Sequence, residues 1–292
     1  MPARLIAYPP ETAAVTRWIA AGGRLRIGRA ADCDLVLEHP SVSRAHAELS
    51  HDGQRWQLRD LGSKNGSYID GIAVEDSAAL AVPSWLRFGD VHCDFAEFNE
   101  AQSNGLRLRQ QQRRDFSLAL TRRVEAESDH ARLPEEVLRG VVELADCSRG
   151  FLLLASGGDY AVRASVELDP AALRARVFSG SVGAVERALA QRQPVVVNEV
   201  ARSDWAAERA SIVDSGLKSL VCLPLLDGPR TLGAIYADRR TPGEPITQFD
   251  LELLSAFAES AALWLLARSA VEALDDAPRW STIVAGPHGS TP

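Results

Sequence analysis

Asp60-Leu61-Gly62-Ser63-Lys64-Asn65-Gly66-Ser67-Tyr68 is a glycine-punctuated loop carrying hydroxyl, ammonium and carboxamide groups. Asn65-Gly66 is a turn dipeptide, and it lies between two β-rich runs at 56–58 and 67–69. Working outward, similar short runs occur at 24–27, 35–37, 45–49, 85–88 and 93–98. Gly22-Gly23, Asp52-Gly53, Asp70-Gly71 and Gly89-Asp90 separate them. Many short strands broken by turn signals at this spacing predict an all-β sandwich over residues 1–98.

Two further fragments of this segment carry the same chemistry as the loop. Gly28-Arg29 closes one strand and opens a loop, which lets a guanidinium project from the sandwich edge. Ser41-Val42-Ser43-Arg44-Ala45-His46 lies between strands and offers a hydroxyl, a second guanidinium and an imidazole. Donors of this kind suit a phosphate that carries about −1.5 to −2 charge and three acceptor oxygens, and a forked arginine suits it better than a point charge.

Gly-Arg, Ser-x-x-His and an Asn-Gly loop, in this order, resemble the forkhead-associated (FHA) domain, a β-sandwich that binds phosphothreonine peptides through loops at one end. The resemblance covers roughly residues 4–98. It implies that Arg29 and Ser43 bind the phosphate, and that Arg44 and Lys64 flank the phosphate or the peptide backbone. It also implies that Asn65 hydrogen-bonds the peptide main chain, while Gly28, His46 and Gly66 are structural. His46 would tie two loops together and Gly66 would supply a turn conformation. Lys64 departs from the usual Thr or Ser before Asn-Gly, which bears on peptide preference.

Beyond residue 98 the composition changes. Residues 99–105 are polar, and Leu106, Leu108, Phe116, Leu120 and Val124 mark a helix with one apolar stripe among arginines and glutamines. Residues 99–114 read as a helical linker, and 115–270 as an α+β domain with an antiparallel sheet and flanking helices. Pro134-Glu135-Glu136 starts a helix, with proline early and acids facing the dipole. Thr247-Gln-Phe-Asp250 starts the last one as a variant of the capping box. Residues 271–292, with three prolines among Gly and Ser, read as a flexible tail. Residues 148–154, 219–225, 232–239 and 249–254 resemble a GAF domain, the small-molecule-sensing module of bacterial signalling proteins. The resemblance leaves two roles open: an unidentified small ligand, or a structural or homodimerising unit. The Asn-Lys dyad of cyclic-nucleotide-binding members is replaced by Asp238-Arg239. His130 is the only histidine between residues 93 and 287, so no metal or haem site is expected, and no cofactor.

Composition bounds the function. The 292-residue chain has a formal net charge of −7, against the basic footprint of a nucleic-acid binder. Only Lys64 and Lys218 are lysine. Cys33, Cys93, Cys147 and Cys222 show no paired spacing, no secretory segment follows Met1, and no apolar run reaches the ~20 residues of a membrane span. A cytoplasmic location with reduced thiols follows as the expectation. No Walker loop, nucleophile elbow, zinc-protease or kinase signature is found, and Ser179-Gly-Ser-Val-Gly183 lacks the Lys-Ser/Thr of a phosphate loop. The expectation is a non-catalytic adaptor, working downstream of a Ser/Thr protein kinase and binding a phosphothreonine-bearing kinase or kinase substrate. Its alternatives are a sensor whose first domain only docks it, and a regulator that contacts nucleic acid through the linker arginines.

Overall fold

The computed structural model describes residues 1–127, 129, 131–168, 181–198 and 216–275. His130, Ser179 and the part of the expected tail from residue 276 onward lie outside the described residues.

The first domain is a sandwich of two sheets. One holds β1 (Ala3–Tyr8), β2 (Val15–Ile19), β7 (Ser67–Ile69), β8 (Ile72–Val74), β10 (Ser84–Phe88) and β11 (Val91–Glu97), in the order β2-β1-β11-β10-β7-β8. The other holds β3 (Arg24–Gly28), β4 (Leu35–Val36), β5 (Ala47–His51), β6 (Trp56–Asp60) and β9 (Ser77–Ala79), in the order β4-β3-β5-β6-β9. Alternation builds the core: in β3, Arg24 and Arg26 face solvent while Leu25 and Ile27 point inward. In the core they join Leu49 and Leu58 of the same sheet and meet Leu5, Leu86, Phe88 and Phe95 of the facing sheet. Trp56 is buried in the same core, and its indole N–H donates to Glu97 at 2.8 Å.

Strands β1, β2, β8 and β9 are additions to the strands read from the sequence. β1 conceals its alternation because both of its faces are covered. Ala3, Leu5 and Ala7 join the sandwich core, and Ile6, on the outer face, is also buried.

Helix α1 (Glu100–Glu125) follows, opened by a capping box between Asn99 and Gln102. It runs unbroken through residues 114 and 115, where the sequence reading divides linker from domain. Leu120 and Val124 sit in the second domain's core. The second domain adds α2 (Leu133–Leu144), β12 (Arg149–Ser156), β13 (Asp159–Val166), α3 (Val182–Gln191), β14 (Val195–Asn198), β15 (Ser219–Asp227), β16 (Arg230–Arg239) and α4 (Gln248–Asp275). Its sheet is antiparallel, in the order β13-β12-β16-β15-β14. One face packs Leu152, Val221, Leu223 and Ile235 against α1, α2 and α4. The other packs Phe151, Cys222 and Tyr236 against Ala184, Val185 and Ala188 of α3. Thr247 and Asp250 cap α4 reciprocally, as their spacing predicts. The helix continues to Asp275, past residue 270, so the first residues of the expected tail are helical.

A second seam joins the domains besides α1, and the sequence reading did not anticipate it. The loop between β1 and β2 brings Ala13 into the second domain's core. Ala14 accepts from Gln248 N–H and donates to the Ile246 carbonyl, both at 2.9 Å. Glu11 pairs with Arg187 of α3.

All four cysteines are free. Burial raises every one of these thiols, Cys147 and Cys222 to about 12. They are held protonated and unreactive near neutral pH. Among the described residues, no helix is long and apolar enough to cross a membrane.

Candidate functional site

Three loops meet at one end of the sandwich. They follow β3, precede β5 and join β6 to β7. Their backbones are bonded to each other: Arg29 N–H donates to the Ser43 carbonyl at 2.9 Å, Ala30 N–H to that of Arg44 at 3.1 Å, and Leu61 N–H to that of His46 at 2.9 Å. The first two loops close on each other at Gly28, where a Cβ would stand 2.2 Å from the Arg44 carbonyl oxygen. Only glycine permits that approach.

His46 is fully buried at the centre of this junction. Its Nδ1 accepts from Ser43 N–H at 3.0 Å, and its Nε2 lies 3.1 Å from the Gly66 carbonyl. The first contact makes Nδ1 an acceptor, which assigns the neutral tautomer with the proton on Nε2. Burial lowers the imidazole pKa, and this prevails over the opposing pull of the Gly66 carbonyl and Asp60. The neutral ring is therefore the working state of the clasp. Gly66 sits at φ +76°, a left-handed position that suits glycine.

The rim itself surrounds a cavity of about 560 Å³ lined by Arg29, Ser43, Arg44, Lys64 and Asn65, with Pro40, Ser41, Val42 and Ala45. All five polar side chains singled out from the sequence are brought together here. Arg29, Arg44, Lys64 and Asn65 are exposed, and Ser43 is half-buried. Among the described residues, no acidic oxygen lies within 4 Å of the Arg29, Arg44 or Lys64 side-chain cations; elsewhere Arg24, Arg113, Arg123, Arg139, Arg149 and Arg239 all have carboxylate partners. Arg29 Nε donates to the Val42 carbonyl at 3.3 Å, which fixes the stem and leaves the terminal nitrogens projecting. Ser43 Oγ accepts from Lys64 N–H at 3.0 Å, so the hydroxyl proton is left to donate outward. Asn65 spends one amide N–H on the Ser41 carbonyl at 2.7 Å, and its carbonyl oxygen is left to accept.

Two bracing residues were not given a role by sequence reasoning. Ser41 Oγ accepts from Asp90 N–H at 2.8 Å and contacts His39 Nδ1 at 2.7 Å. It thereby anchors its loop to the turn between β10 and β11. Asp60 collects Ser63 N–H, Ser63 Oγ and Ser67 Oγ at 2.6 to 2.7 Å. Burial pushes the Asp60 carboxyl up, but the Ser67 and Ser63 hydrogen bonds outweigh it and hold the group below the usual carboxylate range. The signal for Asp60 was legible, since Asp-x-x-Ser is a local capping pattern. For Ser41 there was none, because its partner lies 49 residues away.

The family model of the FHA domain matches residues 25–89, and that of the GAF domain matches residues 129–265. The chain carries an FHA domain and a GAF domain. The FHA segment is similar to the FHA domain-containing protein FhaB of Mycolicibacterium smegmatis, 36% identical over 87 residues, covering 30% of this chain and 56% of that protein. It is similar to FhaB of Mycobacterium tuberculosis strain H37Rv, 41% identical over 63 residues, covering 22% of this chain and 41% of the relative. The glycogen accumulation regulator GarA of M. smegmatis is 36% identical over 78 residues, covering 27% and 49%. The chain thus spans about half the length of the curated relatives it matches. Among solved structures, one from a study of phosphothreonine-dependent FHA domain interactions is 27% identical over 34% of this chain and 99% of its own, with a TM-score of 0.31.

In the GAF domain, Asp238 and Arg239 are both buried and both engaged by the fold. Asp238 accepts from Arg149 Nε at 2.5 Å and from the Tyr236 hydroxyl at 2.7 Å. Burial raises the Tyr236 phenol far above its ordinary range, and the Asp238 charge adds to this. Arg239 pairs with Asp146 at 2.7 Å and donates to Ser219 Oγ and the Glu244 carbonyl. Among the described residues, no group of three or more His, Cys, Asp or Glu side chains has a metal-holding arrangement.

Proposed function

We propose that the chain is a non-catalytic phosphothreonine reader, acting in the cytoplasm as an adaptor or regulator downstream of a Ser/Thr protein kinase. One observation carries the reading: Arg29, Arg44 and Lys64 ring a single cavity and have no acidic partner among the described residues, beside a Ser43 hydroxyl with its proton unspent. A cluster of cations left unneutralised on a chain of net charge −7 calls for an anion. Arg29 and Ser43 hold the phosphate in this reading, Arg44 and Lys64 flank it, and Asn65 takes the peptide main chain. The ligand is a kinase or one of its substrates bearing phosphothreonine. The match to proteins named as FHA domain-containing proteins and as a regulator supports it. Four free thiols agree with a reducing compartment.

The GAF domain supplies a second input or a dimer contact. A sensor in which the FHA domain only docks the protein is the competing reading, and it places the decisive ligand on the GAF domain.

Each charge-assisted hydrogen bond contributes about 1.5–3 kcal/mol, so two or three separate a phosphorylated peptide from its unmodified form by orders of magnitude in affinity. Titration of the whole chain with a phosphothreonine peptide library tests this. Arg29→Ala should weaken the best binders by roughly a hundredfold or more. Equal binding by wild type and variant, or no preference for phosphate, overturns the reading.

A further inference from the structure

A larger groove lies away from the rim, between the outer face of the FHA sheet, helix α1 and the segment leading into α4. It encloses about 700 Å³, within the range of small-molecule pockets, which concentrate at domain interfaces. Its walls are fastened to one another. Ala14 bonds to both Ile246 and Gln248. Arg113 ties α1 to the Asp250 carboxylate and to the Leu144 carbonyl, each at 2.6 Å.

The lining combines unpaired cations with uncovered aromatic rings. Arg4, Arg107 and Arg109 line the groove, and none of them forms an ion pair with another described residue. The Arg4 guanidinium lies 4.7 Å from the centre of the Phe98 ring, which holds it in place. Trp18 and Phe116 border the same space while 42% and 41% exposed. The acids of the lining do not cancel the arginines: Asp146 and Asp250 are paired with Arg239 and Arg113, and Glu244 and Glu252 have no ion pair among the described residues.

We infer that this groove is a second binding site, for a small aromatic oxyanion. The ring lies against Trp18 and Phe116, and the carboxylate or phosphate takes Arg107 or Arg109 beside the Arg4 guanidinium. The site is separate from the phosphothreonine rim and from the α3 face of the GAF sheet. It spans both domains, so a bound ligand stabilises their joint arrangement.

Isothermal titration of the full chain tests the inference with four probes. AMP carries a ring and a phosphate, salicylate a ring and a carboxylate; inorganic phosphate and adenosine each carry one half of the first. At least one ring-bearing anion should saturate below about 1 mM, and phosphate and adenosine should bind roughly tenfold more weakly or not at all. Which of AMP and salicylate binds identifies the anionic group. The double variant Arg107→Gln/Arg109→Gln, at two exposed positions of α1, should weaken binding at least roughly tenfold, as should Trp18→Leu. Arg29→Ala should leave it unchanged while removing phosphopeptide binding, which keeps the two sites distinguishable. Failure of both ring-bearing anions to saturate by about 10 mM, or equal binding to the double arginine variant, overturns the inference.

Discussion

The loop rim of the FHA domain and the buried polar cluster of the GAF domain use the same residue types to opposite ends. Around Asp238 every charge is answered internally: Arg149 holds the carboxylate, Tyr236 donates to it, and Arg239 is closed by Asp146, Ser219 and Glu244. Around Ser43 the arginines and the lysine have no acidic partner among the described residues, and the hydrogen bonds there hold backbones in position. The difference teaches how to tell a structural arginine from one awaiting a ligand. A buried cation must be paired to exist at all, whereas an exposed one left unpaired beside fixed donors is arranged for something outside the chain.

Breaking the GAF cluster should have the largest effect. Asp238→Ala removes the buried carboxylate that holds Arg149 and accepts from Tyr236, and should cost about 3–5 kcal/mol of stability, measured by urea unfolding of the whole chain. Phosphopeptide affinity of the folded protein should not change; a parallel loss would show that the two regions are not separable. Ser43→Ala should do the reverse. It should lower phosphopeptide affinity by about 1.5–3 kcal/mol, roughly ten- to a hundredfold, with the melting temperature nearly unmoved.

The clasp sharpens the comparison through pH. The folded pKa of His46 is depressed by burial, so the unfolded chain takes up its proton first as pH falls. The stability it contributes is complete above about pH 6.5 and is lost below, toward the folded pKa, at no more than about 1.4 kcal/mol per pH unit. His46→Gln should flatten that part of the stability–pH curve. Lys64→Ala should be the smallest change: an exposed cation contributes about 0.2–1 kcal/mol, and the deficit should shrink further as salt is added.

Much of the fold was legible because it rests on period. Arg24-Leu25-Arg26-Ile27 alternates, and one of its faces is solvent. β1 was hidden because Ile6 is covered from the far side, which erases the alternation. Helix α4 was legible from its Thr247/Asp250 cap, and it continues to Asp275 because residues 271–275 carry no Gly or Pro to stop it before Pro278.

The chain's own order of residues was enough to establish the turn-separated strands, the three polar fragments and the absence of catalytic signatures, because each is written in neighbours along the backbone. Tertiary structure alone decided that Ser41 is held by Asp90, that Ala13 is buried in the other domain, and that Arg4, Trp18 and Phe116 border one groove. Those contacts depend on main-chain groups and on surfaces distant in sequence, and a carbonyl or an amide N–H looks the same at every residue that supplies it.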